Sequence, residues 1–140
     1  MTDATTFLAR VYETVAARDL DALVDQFAAD CVFVDVPLAD TSRGRVAFRA
    51  YMEETFRGMP DFRPERWEFV AEGDRVAAEL VLVGTHAGEF MDHPATGRVV
   101  RWAASAFYTL NAAHDQVVRE VYYYDLRSLE MQLVSAAADA

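Results

Sequence analysis

Three consecutive tyrosines run into one carboxylate in VREVYYYDLRSL, residues 118–129. The aromatic and β-branched residues up to Tyr124 read as a strand, and the pattern turns helical at Leu126. Alternation along that strand puts Val121, Tyr123 and Asp125 on one face and Tyr122 and Tyr124 on the other. If the first face lines a pocket, Asp125 is desolvated, and its raised proton affinity suits abstraction of a proton α to a carbonyl. Its place directly before LRSL fits another role as well, an N-cap that accepts hydrogen bonds from the next turn. The two roles move its pKa in opposite directions.

Other residues are candidates on the same grounds. His86, in GTHAGEF, keeps phase with Leu80, Leu82 and Gly84, so it can donate a hydrogen bond to a developing enolate oxygen. A strand-end histidine with no chemical role fits the pattern too. Asp35 precedes Pro37, where a turn-forming aspartate is the plain reading. Tyr12 and Tyr51 lie on apolar helical stripes and can offer hydroxyls to a ligand, although such stripes also describe simple core; Trp67 and Trp102 are weighed the same way. Tyr123 shares its face with Asp125. Asp92 and His93 sit together in the loop FMDHPATG, which reads as solvated. Asp35, His86 and His93 do not have a compact metal-binding spacing, so no metal is expected. There is no glycine-rich phosphate cradle and no nucleophile elbow.

The elements that must position these residues follow from periodicity. Phe7, Leu8, Val11, Tyr12 and Val15 predict a helix over 5–18, with Thr5 or Thr6 as N-cap. Leu20, Leu23, Val24 and Phe27 predict a second over 19–29 behind Asp19. A strand over 31–36 and a loop over 37–44 lead to a third helix over 45–58, with Val46, Tyr51, Met52, Thr55 and Phe56 on its stripe. Strands over 63–71, 75–85, 99–110 and 117–124 are joined by short links and predict an antiparallel meander. A closing helix spans 126–138. This order implies an α+β domain, residues 1–140, whose curved sheet wraps its concave side around the helices and can enclose a pocket. Val76, Ala78, Leu80 and Leu82 alternate with Ala77, Glu79, Val81 and Val83; two largely apolar faces suggest that the sheet also serves as a dimer contact.

Composition restricts the partners. The 140 residues carry 23 acidic and 13 basic side chains, a formal charge of -10. Such a surface repels nucleic acid and anionic lipid. Cys31, the single cysteine, reads as a small buried hydrophobe in a reducing, cytoplasmic setting. No membrane span or export signal is expected.

Five stretches, FVDVPLADTSRGRVAFRAY, MPDFR, AEGDRVAAELVLVGTHAGEF, PATGRVVRW and REVYYYDLRSLEMQL, resemble in order and spacing the SnoaL-like polyketide cyclases (ester cyclases). These belong to the broader NTF2-like, ketosteroid-isomerase-like superfamily, and the resemblance covers residues 12–133. It implies a conical fold, a homodimer and a deep apolar pocket. It also implies ring closure of an aromatic polyketide ester by intramolecular aldol condensation, with neither metal nor organic cofactor. The family's acid/base aspartate at the end of the last strand is matched by Asp125, and its acidic or amide residue near the pocket mouth by Asp35. Val121 departs from a common tryptophan, and Ala104 and Ala106 from common polar residues, which leaves a smaller, plainer wall. The expected function is therefore a cofactor-independent cyclase or isomerase acting on an apolar carbonyl compound. The alternatives are a non-catalytic binding or dimerisation module and a cofactor-free hydroxylase.

Overall fold

Asp3, not Thr5 or Thr6, begins the first helix: its carboxylate accepts hydrogen bonds from the amides of both threonines. The computed structural model describes residues 3–134. Helix α1 (Ala4–Ala16) buries the predicted stripe of Phe7, Leu8, Val11, Tyr12 and Val15. Helix α2 (Leu20–Asp25) starts at the predicted cap, Asp19, whose carboxylate accepts from the amide of Ala22 at 3.1 Å. It stops earlier than its apolar pattern predicts because strand β1 (Phe27–Asp35) takes over at Phe27. There the backbone pairs with Val117, and the Val117 amide donates to the carbonyl of Gln26.

Strand β2 (Asp40–Arg43) lies inside the predicted loop. It is too short and polar to carry a pattern of its own, and it exists through antiparallel pairing with β1. Helix α3 (Gly44–Gly58) buries Phe48, Met52 and Thr55. Val46, expected on that stripe, is 87% exposed.

Strands β3 (Arg63–Glu72), β4 (Arg75–Thr85), β5 (Val99–Leu110) and β6 (Val117–Tyr124) form the predicted antiparallel meander. The six strands lie in the order β2-β1-β6-β5-β4-β3. Strand β1 joins β6 in parallel, a long-range pairing that no local pattern encodes. Val76, Ala78, Leu80 and Leu82 all point inward and are buried against the helices. Burial of the valine and leucine side chains contributes roughly 1.5–3 kcal/mol each.

The outer face is only partly covered. Val83 is buried, whereas Glu79, Val70, Val99, Phe107 and Tyr123 are exposed. Helix α4 (Leu126–Leu133) inserts Leu129 and Leu133 into the core. Its Gln132 side chain accepts from the Arg101 amide at 3.1 Å and donates to the Arg101 carbonyl at 2.7 Å. Pairing of β6 with β5 ends at Ala104, so this side-chain amide satisfies strand groups that would otherwise lack a partner. The helix ends at Leu133, where Val134 turns extended, short of the predicted 138; residues 135–138 lie outside the described residues.

Candidate functional site

Between the concave sheet and helices α1, α2 and α3 lies a cavity of about 390 Å³. The strand β6 meets it through Glu120, Tyr122 and Tyr124. Arg119, Val121 and Tyr123 instead border a shallow outer groove. The face expected to line the pocket is thus the outer one. Tyr123 is 42% exposed and edge-on to Phe107. Asp125 is exposed, caps α4 and accepts from the Ser128 amide at 3.2 Å. That backbone hydrogen bond is the main reason its carboxyl is held below the ordinary value. Asp125 does not border the cavity.

Exposed polar residues, among them Asp40, Glu54, Arg57, Glu89 and Asp92, mark the cavity mouth. Just inside lies Asp35, which is 1% exposed. Its carboxylate accepts from Tyr51 Oη at 2.6 Å, from Tyr124 Oη at 2.9 and 3.1 Å, and from the Leu38 amide at 3.2 Å. Burial raises the pKa of this group, with the three donors acting against it. Three donors to one carboxylate suit the ionised form and leave it some accepting capacity. Burial also raises the pKa values of Tyr51, Tyr122 and Tyr124, so all three keep their hydroxyl protons at neutral pH.

Tyr122 occupies the middle of the inner face, in register with Asp35 on one side and Ala106 on the other. Trp102 Nε1 donates to its hydroxyl oxygen at 2.8 Å. An indole N–H can only donate. The Tyr122 proton has no acceptor among the described residues and is free to meet a ligand. Ala106 lines the cavity opposite it, so the small wall noted in the sequence is where the space opens.

The far end is closed by Val11, Tyr12 and Val15 of α1 with Leu23 and Phe27. Tyr12 and Tyr108 join their hydroxyls there at 2.8 Å, and Tyr108 stands in register beside Glu120. Glu120 is half-buried and lines the cavity. Desolvation, opposed by the neighbouring Tyr108 hydroxyl, pushes its pKa up to about 8.

His86 is fully buried but does not line the cavity. Its Nε2 lies 3.1 Å from the His93 carbonyl and its Nδ1 3.0 Å from Thr96 Oγ1. Since a carbonyl only accepts, Nε2 carries the proton. The ring therefore ties down the loop over 86–98 instead of reaching a ligand. Loop residues Phe90, Met91 and Asp92 border the mouth. Met91 and Asp92 have positive φ, 50° and 64°, between the mutually hydrogen-bonded Phe90 and His93, as a tight two-residue hairpin turn requires.

Of the residues predicted from sequence, Asp35, Tyr12, Tyr51 and Trp102 come together around the cavity, while Asp125, His86 and Tyr123 do not. Glu120, Tyr108, Tyr122 and Tyr124 were not singled out. The available signal was the alternation of β6, which sets Glu120, Tyr122 and Tyr124 on one face. Among the described residues, no group of three or more His, Cys, Asp or Glu is placed to hold a metal ion, and no helix is long and apolar enough to cross a membrane.

Comparison with known proteins gives a consistent result. The profile of the SnoaL-like polyketide cyclases matches residues 4–133. No curated protein matches. Among solved structures, a provisional polyketide cyclase from Xanthomonas campestris pv. campestris superposes with a TM-score of 0.84 at 23% identity, over 93% of this chain and 96% of that one. IdmH, a provisional polyketide cyclase from Streptomyces antibioticus, gives 0.80 at 25%, over 94% and 99%. AclR, a provisional hydroxylase from Streptomyces galilaeus, gives 0.80 at 23%, over 93% and 80%.

Proposed function

The chain belongs to the SnoaL-like polyketide cyclase family, and from that premise we propose that it is a cofactor-independent cyclase or isomerase acting on an apolar, carbonyl-containing small molecule. The observation that carries this reading is a buried carboxylate, Asp35, held by two tyrosine hydroxyls inside a largely apolar cavity. A desolvated carboxylate beside an unspent phenol proton suits enolate chemistry. Asp35 takes the proton α to the substrate carbonyl. The C–H electron pair becomes the enolate, whose oxygen accepts a hydrogen bond from Tyr122. In the cyclase reaction the enolate carbon attacks a second carbonyl carbon of the same molecule, forming the ring bond. The new alkoxide then recovers the proton from Asp35, so no redox change occurs. In an isomerase the proton returns to a different carbon.

Deuterium exchange α to the carbonyl of apolar ketones, α-tetralone first, tests the assignment without knowledge of the natural substrate. The protein should accelerate exchange, and Asp35→Asn should abolish the acceleration. Exchange no faster than in buffer for every ketone would leave the binding-module alternative, which a ligand recovered unchanged would support. Exchange undiminished in Asp35→Asn would remove the role given to that residue.

The similarity to AclR favours a second reading, in which the enolate reacts with dioxygen. Oxygen consumption dependent on substrate would identify it. The reading includes a homodimer through the outer sheet face, where Val70, Phe107 and Tyr123 are exposed; light scattering would give the mass.

A further inference from the structure

Glu120 is a half-buried carboxyl group on the cavity wall for which the proton transfer at Asp35 has no use. It sits two residues along β6 from Tyr122, in register with Phe33 of β1 and Tyr108 of β5. The titratable groups facing it are Tyr12 from α1, Tyr108 from β5, Tyr122 from β6 and, one row nearer the mouth, Asp35 from β1. No cation lies against it among the described residues. A buried carboxylate without a counter-charge is costly, so such a group keeps its proton. The tyrosine chain accommodates this. Tyr12 and Tyr108 share a hydrogen bond between their hydroxyls beside it, and the acid's own O–H has no protein acceptor among the described residues and can turn to the cavity it lines.

We propose that Glu120 acts as a neutral carboxylic acid at the closed end of the cavity and donates its proton in a hydrogen bond to a carbonyl oxygen at the leading end of the ligand. The inference deepens the reading above, on which it rests, by defining the substrate class. The ligand carries two separated oxygen functions on an apolar frame, a ketone or ester carbonyl held at Glu120 and a reacting carbonyl held at Tyr122 beside Asp35. A molecule with a carboxylate at its leading end is disfavoured, because it would meet the ionisable acid in a site without cations.

The test compares α-tetralone with tetralin, its hydrocarbon counterpart, by quenching of tryptophan fluorescence, and follows the infrared carbonyl band of protonated carboxylic acid. At neutral pH the wild type should show this band, Glu120→Gln should lack it, and α-tetralone should lower its frequency. The ketone should bind more tightly than tetralin. That advantage should fall in the wild type as pH rises past about 8, persist without pH dependence in Glu120→Gln, whose amide still donates, and shrink without pH dependence in Glu120→Leu to what the Tyr122 hydroxyl supplies. Ketone binding that leaves the band unmoved, or an equal pH dependence in Glu120→Gln, overturns the role of Glu120 alone. Failure of α-tetralone to bind at all overturns both this role and the cavity as a carbonyl site.

Discussion

Replacing Glu120 by glutamine should make the protein more stable at neutral pH, by an amount that grows with pH. The folded protein keeps this proton up to about pH 8, whereas the unfolded chain releases it near 4.5. A group whose folded pKa is raised contributes fully below the unfolded value, and its contribution is lost as pH rises toward the folded value. In that window the folded state binds more protons than the unfolded state, so stability falls by about 1.4 kcal/mol per pH unit. Between about pH 5 and pH 7 the wild type should therefore lose about 3 kcal/mol relative to Glu120→Gln, which has no proton to release. Urea unfolding followed by tryptophan fluorescence at both pH values measures it. Taking the difference between variant and wild type at each pH cancels the other carboxyls, including Asp35, whose raised pKa acts in the same direction. The slope of stability against urea should not change, since the two side chains have nearly the same surface. A difference between the proteins that stays constant from pH 5 to pH 7 would refute the reasoning, since it would mean that Glu120 is ionised in the folded state.

Tyr51→Phe removes the 2.6 Å hydrogen bond to Asp35 and should cost about 1.5–3 kcal/mol in unfolding free energy, with slower α-exchange; a calorimetric stability equal to wild type would contradict the arrangement at the mouth. Asp125→Asn should leave ketone exchange intact. Because the Asp125 pKa is lowered by its capping bonds, its contribution to stability is present above the unfolded value and lost as pH falls through the folded one, so the variant should show a shallower acid-unfolding curve. Ala106→Leu places a larger side chain opposite Tyr122, within the cavity wall, and should weaken α-tetralone binding by about tenfold or more, equivalent to about 1.4 kcal/mol, while circular dichroism remains that of the wild type. Gly88→Ala would bring a Cβ within 2.3 Å of the Arg57 carbonyl oxygen and should destabilise the protein by about 1–3 kcal/mol through overpacking, read as a lower thermal midpoint.

Much of this protein was legible in its sequence because the relevant signals are local. The 3.6-residue stripe of α1, the caps at Asp19 and Asp125 and the four meander strands depend on neighbouring residues, and they appear where the pattern puts them. Asp35, Tyr12, Tyr51 and Trp102 could be named as candidates from residue type and position. Alternation also separated Val121, Tyr123 and Asp125 from Tyr122 and Tyr124. It could not say which set faces inward, since both contain apolar or aromatic residues and a strand's period is the same from either side. That choice was made by the tertiary structure. Parallel pairing of β1 with β6 and the packing of the helices on one side of the sheet turn Glu120, Tyr122 and Tyr124 into the cavity and leave Asp125 in solvent at a helix start. The sequence determined which side chains share a face; only contacts between residues far apart in the chain decided which face would lose its water, and hence which carboxyl groups would have their proton affinity raised.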